Sequence, residues 1–269
     1  MSTIIQNTGE GQVHLIAGGG RVYTDIAARF VRTEKPVTEL IQSEYNPQIV
    51  RNILESKHYA ALEFDFFIFG VEGFSRVTET QLVRKRHASY LIKSGRAELN
   101  GKRTHKYCIP ESVRNYTTTV SIDYGHNNES PLVFDIDGDQ LADVCSQFYD
   151  NGLQDGLPEE DLRYLKPQAT EFKGIIAMDA CAIRQWTNIR CCQNAQSEIR
   201  DLATKILKLC KEVSPDLFKN AGASCVELGY CPEGRLQNTK CKGKIPLLKD
   251  LKDAYKEMLQ HRLEEDDLK

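Results

Sequence analysis

Between Gln81 and Arg96 the chain reads Gln-Leu-Val-Arg-Lys-Arg-His-Ala-Ser-Tyr-Leu-Ile-Lys-Ser-Gly-Arg. Three arginines, two lysines and two serines are crowded into this stretch of a protein whose formal net charge is −3. Arginine presents a rigid fork of donors that matches phosphate, and serine adds a short uncharged hydrogen bond. Cations at this density, with hydroxyls at Ser89 and Ser94, suit a small phosphorylated ligand. The competing reading is a solvated basic helix end.

The flanking residues say how such a set would be positioned. Val71 to Arg76 reads as a turn-like break, and Val77 to His87 as a helix with Leu82 and Val83 on its apolar side. Ser94-Gly95-Arg96 follows, where glycine lets the backbone approach a ligand closely. The helix would carry Gln81, Arg84 and Arg86 toward the same end as this loop.

The pattern Gln81-Leu-Val-Arg84-x-Arg86-x-x-Ser89, followed by Ser94-x-Arg96, resembles the signature of the flavin-dependent thymidylate synthases. Other segments resemble the same family in the same order: Lys57-His58-Tyr-Ala-Ala-Leu62-Glu63-Phe, then Phe66-Phe-Ile-Phe and Ser75-Arg76; Asp161-Leu-Arg163-Tyr-Leu-Lys-Pro167; and Ile189-Arg190 ahead of Ala195-Gln196-Ser-Glu198-Ile199-Arg200. The resemblance covers roughly residues 10 to 220.

The resemblance implies an α+β fold with a mixed or antiparallel central sheet and flanking helices, assembled as a homotetramer with shared active sites. It implies that deoxyuridine monophosphate, a pyrimidine deoxynucleotide, is methylated with methylenetetrahydrofolate as one-carbon donor and FAD as redox cofactor, recharged by NADPH. No protein nucleophile need attack the pyrimidine, so the residues orient the base, neutralise phosphate and stabilise charge on the ring. On the matching positions Ser94, Gly95 and Arg96 hold the phosphate, with Arg163 from a neighbouring subunit. Gln81, Arg84 and Ser89 line the nucleotide pocket, and Arg190 faces the pyrimidine carbonyls. Arg190 and Ser94 are the candidates for a direct part in the reaction. His58 and Glu63 lie near the flavin, as do Arg84, Lys85, Arg86 and His87, with Asp179 and Gln185 further along the chain.

Several positions depart from the family pattern. Lys85 replaces a histidine, Leu91-Ile92 an Asn-Glu pair, and Ala97 a tyrosine. Asp179-Ala-Cys181 stands where Asn-Ala-Arg is usual, and Gln185 where Asn or His is usual. The nucleotide set is intact and much of the flavin set is altered. Three readings stay open on that pattern: a thymidylate synthase that grips its cofactor differently, a relative with altered pyrimidine chemistry such as hydroxymethylation, and a nucleotide-binding protein without catalysis.

Composition excludes other classes. A chain of 269 residues can bury a substantial core, and its slight acidity argues against a general nucleic-acid surface. No apolar run approaches membrane-span length, and Met1 to Asn7 shows no secretion signal, so a cytoplasmic location is expected. Of the nine cysteines, Cys108, Cys145, Cys181 and Cys210 fall in apolar patterns and read as small buried side chains. Cys225, Cys231 and Cys241 would need a fourth ligand to hold zinc, and their spacing is not that of a finger or ribbon. A thiol-bearing loop is the expectation there, and no metal site is assigned.

Asp135-Ile-Asp137-Gly-Asp139 fails as a calcium loop, because its glycine comes too early. Its aspartates instead read as caps for a helix from Gln140 to Asn151 with Leu141, Val144, Cys145 and Phe148 as its stripe. Strands are expected over Val13–Ala17, Leu62–Phe69 and Thr170–Met178, with Gly18-Gly19-Gly20 as a turn. Helices are expected over Tyr23–Val31, from Asn46, over Ala195–Val213 and over Leu247–Leu263, and Ser112 to Pro131 reads as loop or irregular strand. Residues 1–221 are expected to form the family's domain, with 222–269, a cysteine-containing loop and a helix, appended to it.

Overall fold

The computed structural model describes residues 2–20, 22–94, 104–123 and 130–266, with side chains described up to residue 258. In chain order the elements are β1 (Ser2–Asn7), β2 (Gln12–Ala17), α1 (Tyr23–Phe30), α2 (Val37–Gln42), α3 (Pro47–Glu55), β3 (Phe66–Ser75), α4 (Arg76–Leu82), β4 (Ser89–Ile92), β5 (Thr104–Ile109), α5 (Glu111–Arg114), β6 (Thr117–Ile122), β7 (Leu132–Asp137), α6 (Gly138–Gln154), α7 (Glu159–Leu162), β8 (Glu171–Asp179), α8 (Ala180–Arg190), α9 (Ser197–Val213), α10 (Pro215–Phe218), α11 (Ser224–Leu228) and α12 (Leu248–Asp266). The fold is α+β. A four-stranded sheet has the order β2-β3-β8-β4, β1 pairs with β5 in parallel, and β6 pairs with β7 antiparallel. Among the described residues no helix is long and apolar enough to cross a membrane.

Two compact units are formed, one from Met1–His14, Gly70–Arg86 and Tyr90–Ile176, the other from Leu15–Phe69, His87–Ser89 and Ala177–Lys269. In the first, α6 packs on β1 and β5 around Tyr107, Ile109 and Ala142. Asp137 accepts the Gln140 N–H while the Gln140 side chain accepts the Asp137 N–H, a reciprocal pair that fixes where α6 begins. The stripe expected on α6 is corrected. Leu141, Val144 and Phe148 are about half exposed, and the helix buries Ala142, Ser146, Tyr149 and Gly152 instead. Small side chains allow this close approach: a Cβ on Gly152 would stand 2.5 Å from Leu162. The Tyr107 hydroxyl, 2.9 Å from Ser146 Oγ, satisfies the polar groups the contact buries.

In the second unit α9 presents Ile199, Leu202, Ala203, Ile206 and Cys210 as a buried stripe, and α8 packs on it. Phe67 meets Phe218 edge to face with ring centroids 5.4 Å apart. All nine cysteines are free thiols; Cys108, Cys181 and Cys210 are buried and Cys145 is half-buried.

Two further expectations are corrected, and the stretch expected as loop or irregular strand is defined. Tyr59–Phe64 is a 3-10 turn, so the strand expected from Leu62 starts at Phe66 and runs on through Ser75, replacing the break expected at Val71–Arg76. Gly73 allows this continuation, since its φ of +75° brings Gly11 within 3.0 Å of where a Cβ would stand. Ser112–Pro131 supplies the end of α5 and strand β6, paired with β7 from Thr117 opposite Asp137 to Ile122 opposite Leu132; Tyr124–Glu129 lie outside the described residues.

Candidate active site

The basic run begins on α4, whose start is closed by Ser75 Oγ accepting the Thr78 N–H at 3.4 Å. The Arg76 and Val77 N–H groups donate to Thr170 O at 2.9 Å and Gln168 O at 3.3 Å, just downstream of Arg163 in the chain. Gln81 is half-buried on the helix and Leu82 is fully buried. The helix then stops, five residues short of the expected His87. The Tyr90 hydroxyl stands 2.9 Å from both Leu82 O and Lys85 O, taking carbonyls that a longer helix would use internally. Arg84, Lys85 and Arg86 therefore project from an irregular turn, and Val83 is exposed rather than apolar lining. Arg84, Arg86 and His87 are exposed, and no hydrogen bond or ion pair engages their side chains among the described residues.

Strand β4 carries Ser89 at its start and leads to Ser94, both exposed. Its end is fixed to β8: Lys93 N–H donates to Lys173 O at 2.8 Å, and Ile92 Cδ1 lies 2.6 Å from where a Cβ on Gly174 would stand. Gly95 and Arg96 lie outside the described residues, as does Ala97. Arg163 opens a 3-10 turn after α7, with Leu162 buried beneath it and its own side chain exposed.

The second unit carries the other candidates. Arg190 ends α8 and is half-buried. Asp179 caps the same helix, accepting the Ala182 N–H at 2.6 Å, and Gln185 Nε2 stands 3.4 Å from the buried Cys181 Sγ. Both departures from the family pattern thus have a local structural use. His58 and Glu63 are exposed around the 3-10 turn, followed by Phe64 and Phe66, which are 62% and 61% exposed.

A cavity of about 850 Å³ is bounded by α1, α2, α3 and the 3-10 turn. Leu40, Ile49, Ile53 and Phe64 supply apolar wall, Arg32 and His58 polar edge. Its frame is held by Asp25, which pairs with Arg29 through two bonds of 2.8 and 2.9 Å and accepts the Asn46 N–H at 3.1 Å.

Residues 5–216 match the family model described as thymidylate synthase complementing protein. Curated relatives include a flavin-dependent thymidylate synthase of Nitratidesulfovibrio vulgaris, 35% identical over 77% of this chain and 80% of the relative, and one of Geobacter sulfurreducens, 36% identical over 68% and 72%. The chain belongs to the flavin-dependent thymidylate synthase family. It is therefore a member of an enzyme family. A solved structure described as a UMP/dUMP methylase from Streptomyces cacaoi, bound with 5-Br dUMP, superposes with a TM-score of 0.61 over 80% of this chain and 95% of that one; at 17% identity the likeness concerns the fold.

Two residues that the sequence pattern passed over support the family's site. Tyr90 ends α4, and its signal was a lone aromatic inside a run of cations. Asp65 is buried, accepts the Tyr23 and Thr24 N–H groups at 2.8 Å each, and through its carbonyl accepts the Ala180 N–H at 2.8 Å. It ties the starts of α1 and α8 to the strand that follows the 3-10 turn. A carboxylate among Phe64, Phe66 and Phe67 was the available sign, since buried charge needs dedicated partners.

Proposed function

We propose that this protein converts deoxyuridine monophosphate to thymidine monophosphate by reductive methylation, with methylenetetrahydrofolate as one-carbon donor, FAD as redox cofactor and NADPH as reductant. The observation that carries the reading is that Arg84 and Arg86 are exposed, with no hydrogen bond or ion pair at either guanidinium among the described residues, on a chain whose family match runs from residue 5 to 216. The relatives' printed names and the dUMP analogue named with the structural neighbour support it.

In this reading Ser94, Gly95 and Arg96 bind the nucleotide phosphate together with Arg163, and Gln81, Arg84 and Ser89 line the base pocket. Arg190 donates to the pyrimidine carbonyl edge and stabilises negative charge as it develops on the ring, a role that needs a fixed cation. Its half-buried place at the end of α8 supports that role.

The donor set fits a flavin dinucleotide. Arg84 and Arg86, assisted by Lys85 and His87, suit the diphosphate, and Phe64 and Phe66 offer aromatic surface beside His58 and Glu63. Asp179 adds no uncompensated negative charge, because its carboxylate faces the partial positive charge of its own helix N-terminus. Gln185 contributes an amide from the same helix. Bound flavin would supply the hydride that completes the methyl group. The cavity beside His58 suits the folate donor, with the ring system on Leu40, Ile49 and Phe64 and a glutamate carboxylate at Arg32.

A homotetramer belongs to the same proposal. The exposed apolar stripe of Leu141, Val144 and Phe148 on α6 supports subunit contact, since such a face is stabilised by being covered.

The test is direct. Purified protein is incubated with FAD, NADPH, methylenetetrahydrofolate and deoxyuridylate, and products are resolved by mass spectrometry. Thymidylate formation that requires all four additions is expected. Retained flavin and bound deoxyuridylate without any methylated product would reject the reaction while leaving the ligands.

A further inference from the structure

Cysteines are concentrated on the wall of a second cavity, of about 470 Å³, between the end of α8 and the segment after α10. Cys191, Cys192, Cys225, Cys231 and Cys241 all line it. The spacing of the last three lacked a fourth ligand, and the fold supplies one. Ser224 Oγ donates to Asn188 O at 3.2 Å, Asn194 Nδ2 to Leu236 O at 2.8 Å, and Asn238 Nδ2 to Gln193 O at 3.1 Å. These bonds seat residues 224–238 against the last turn of α8 and the chain just beyond it. Of the two adjacent thiols, Cys191 shares a hydrogen bond with Thr204 on α9, whereas Cys192 lies on the cavity wall with Cys225.

The segment needs such a site. From Ala223 to Leu247 the single buried residue is Cys231, and the local structure is α11 and two short 3-10 turns punctuated by Gly229, Gly234 and Gly243 at positive φ. A stretch this poor in apolar contacts is ordered in other proteins by disulfides or metal. Yet the thiols are free, and Cys225 lies within electrostatic reach of Cys192, Cys231 and Cys241. The remaining wall suits a compact anionic complex. Lys240 and Lys244 line it and offer cationic donors to thiolate sulfur.

We propose that Cys192, Cys225, Cys231 and Cys241 bind one zinc ion that staples residues 222–247 to the end of α8. Four thiols each lose a proton to solvent and four sulfur–zinc bonds form, with tetrahedral thiolate ligation as the preferred geometry. As the chain stands, no three Cys, His, Asp or Glu side chains among the described residues are close enough to hold an ion. The site therefore closes as zinc enters, and segment order and metal content rise together. This assignment is independent of the redox reaction and of the nucleotide site.

The experiment begins with metal analysis of the full-length chain purified without chelators. About one zinc per chain is expected, lost on chelation with a gain of four reactive thiols and faster proteolysis within 222–247, and restored by adding zinc alone. Cys225→Ser and Cys192→Ser should lose the zinc, while Cys145→Ser, placed on α6, should retain it. The wild-type measurement stands if a variant fails to fold. Zinc-free protein that takes up none in a competition titration overturns the proposal; so does iron in place of zinc, or a disulfide within the four in protein kept under reductant.

Discussion

The Asp179 carboxylate accepts the Ala182 backbone N–H at 2.6 Å, so the residue that breaks the family's pattern is the N-cap of α8. Removing such a cap typically costs about 1 kcal/mol, whereas asparagine caps nearly as well. Asp179→Ala should lower denaturation stability by about that amount, and Asp179→Asn by a few tenths. The cofactor should stay bound in the asparagine variant, because the carboxylate's charge is directed at the helix. Flavin retained by the wild type and lost from Asp179→Asn, read by absorbance after desalting, would show instead that the charge is used in binding.

Tyr90 gives a pH signature. Burial pushes its hydroxyl up to about 12 from an ordinary value of 10. The folded state thus keeps a proton that the unfolded state releases, so stability is unaffected below pH 10 and falls as pH rises from 10 toward 12. Tyr90→Phe should flatten part of that alkaline fall. Near neutral pH it should cost about 0.5–1.5 kcal/mol for the lost hydrogen bond. It should also raise the KM for deoxyuridylate more than it lowers kcat, because it loosens the turn carrying Arg84. Denaturation curves at pH 8 and 11, with steady-state kinetics, check both parts.

Gly174 tests whether β4 positions Ser94. A Cβ there would stand 2.6 Å from Ile92 Cδ1, which must shift, and a tight 3.1 Å from Leu91 O, which must give slightly. Overpacking of this kind costs about 1–3 kcal/mol. Gly174→Ala should fold less stably and bind deoxyuridylate more weakly, measured by calorimetry. Ile92→Val beside it removes the offending methyl and should recover part of the loss.

Motif-bearing residues were legible because their chemistry is local. Arg84 and Arg86 lie two residues apart on one short turn, and the Asn46 and Asp137 caps lie within three residues of the N–H groups they accept. What failed to read depends on partners distant in the chain or on a choice between two faces. The stop at Leu82 comes from Tyr90 folding back onto helix carbonyls. On α6 both an apolar stripe and a small-residue stripe were available, and the sheet took the small one because Tyr107 and Leu162 fill the space against it. The proposed zinc site was unreadable for the same reason: Cys192 lies 33 residues before Cys225, and the two segments meet through side-chain bonds to carbonyls that no spacing rule encodes.

Arg163 supplies the last test. Its side chain is exposed and no hydrogen bond or ion pair engages it among the described residues, as expected of a cation held for a ligand. Loss of one phosphate-paired arginine removes about 1.5–3 kcal/mol. Arg163→Ala and Arg96→Ala should therefore each weaken deoxyuridylate binding by about 10- to 150-fold. If each site takes Arg96 from one subunit and Arg163 from another, refolding the two variants together should give about a quarter of the sites both arginines. Calorimetry would then find a tight fraction absent from either variant alone. A mixture with weak sites alone would assign both arginines to the same chain and remove the shared site from the proposal.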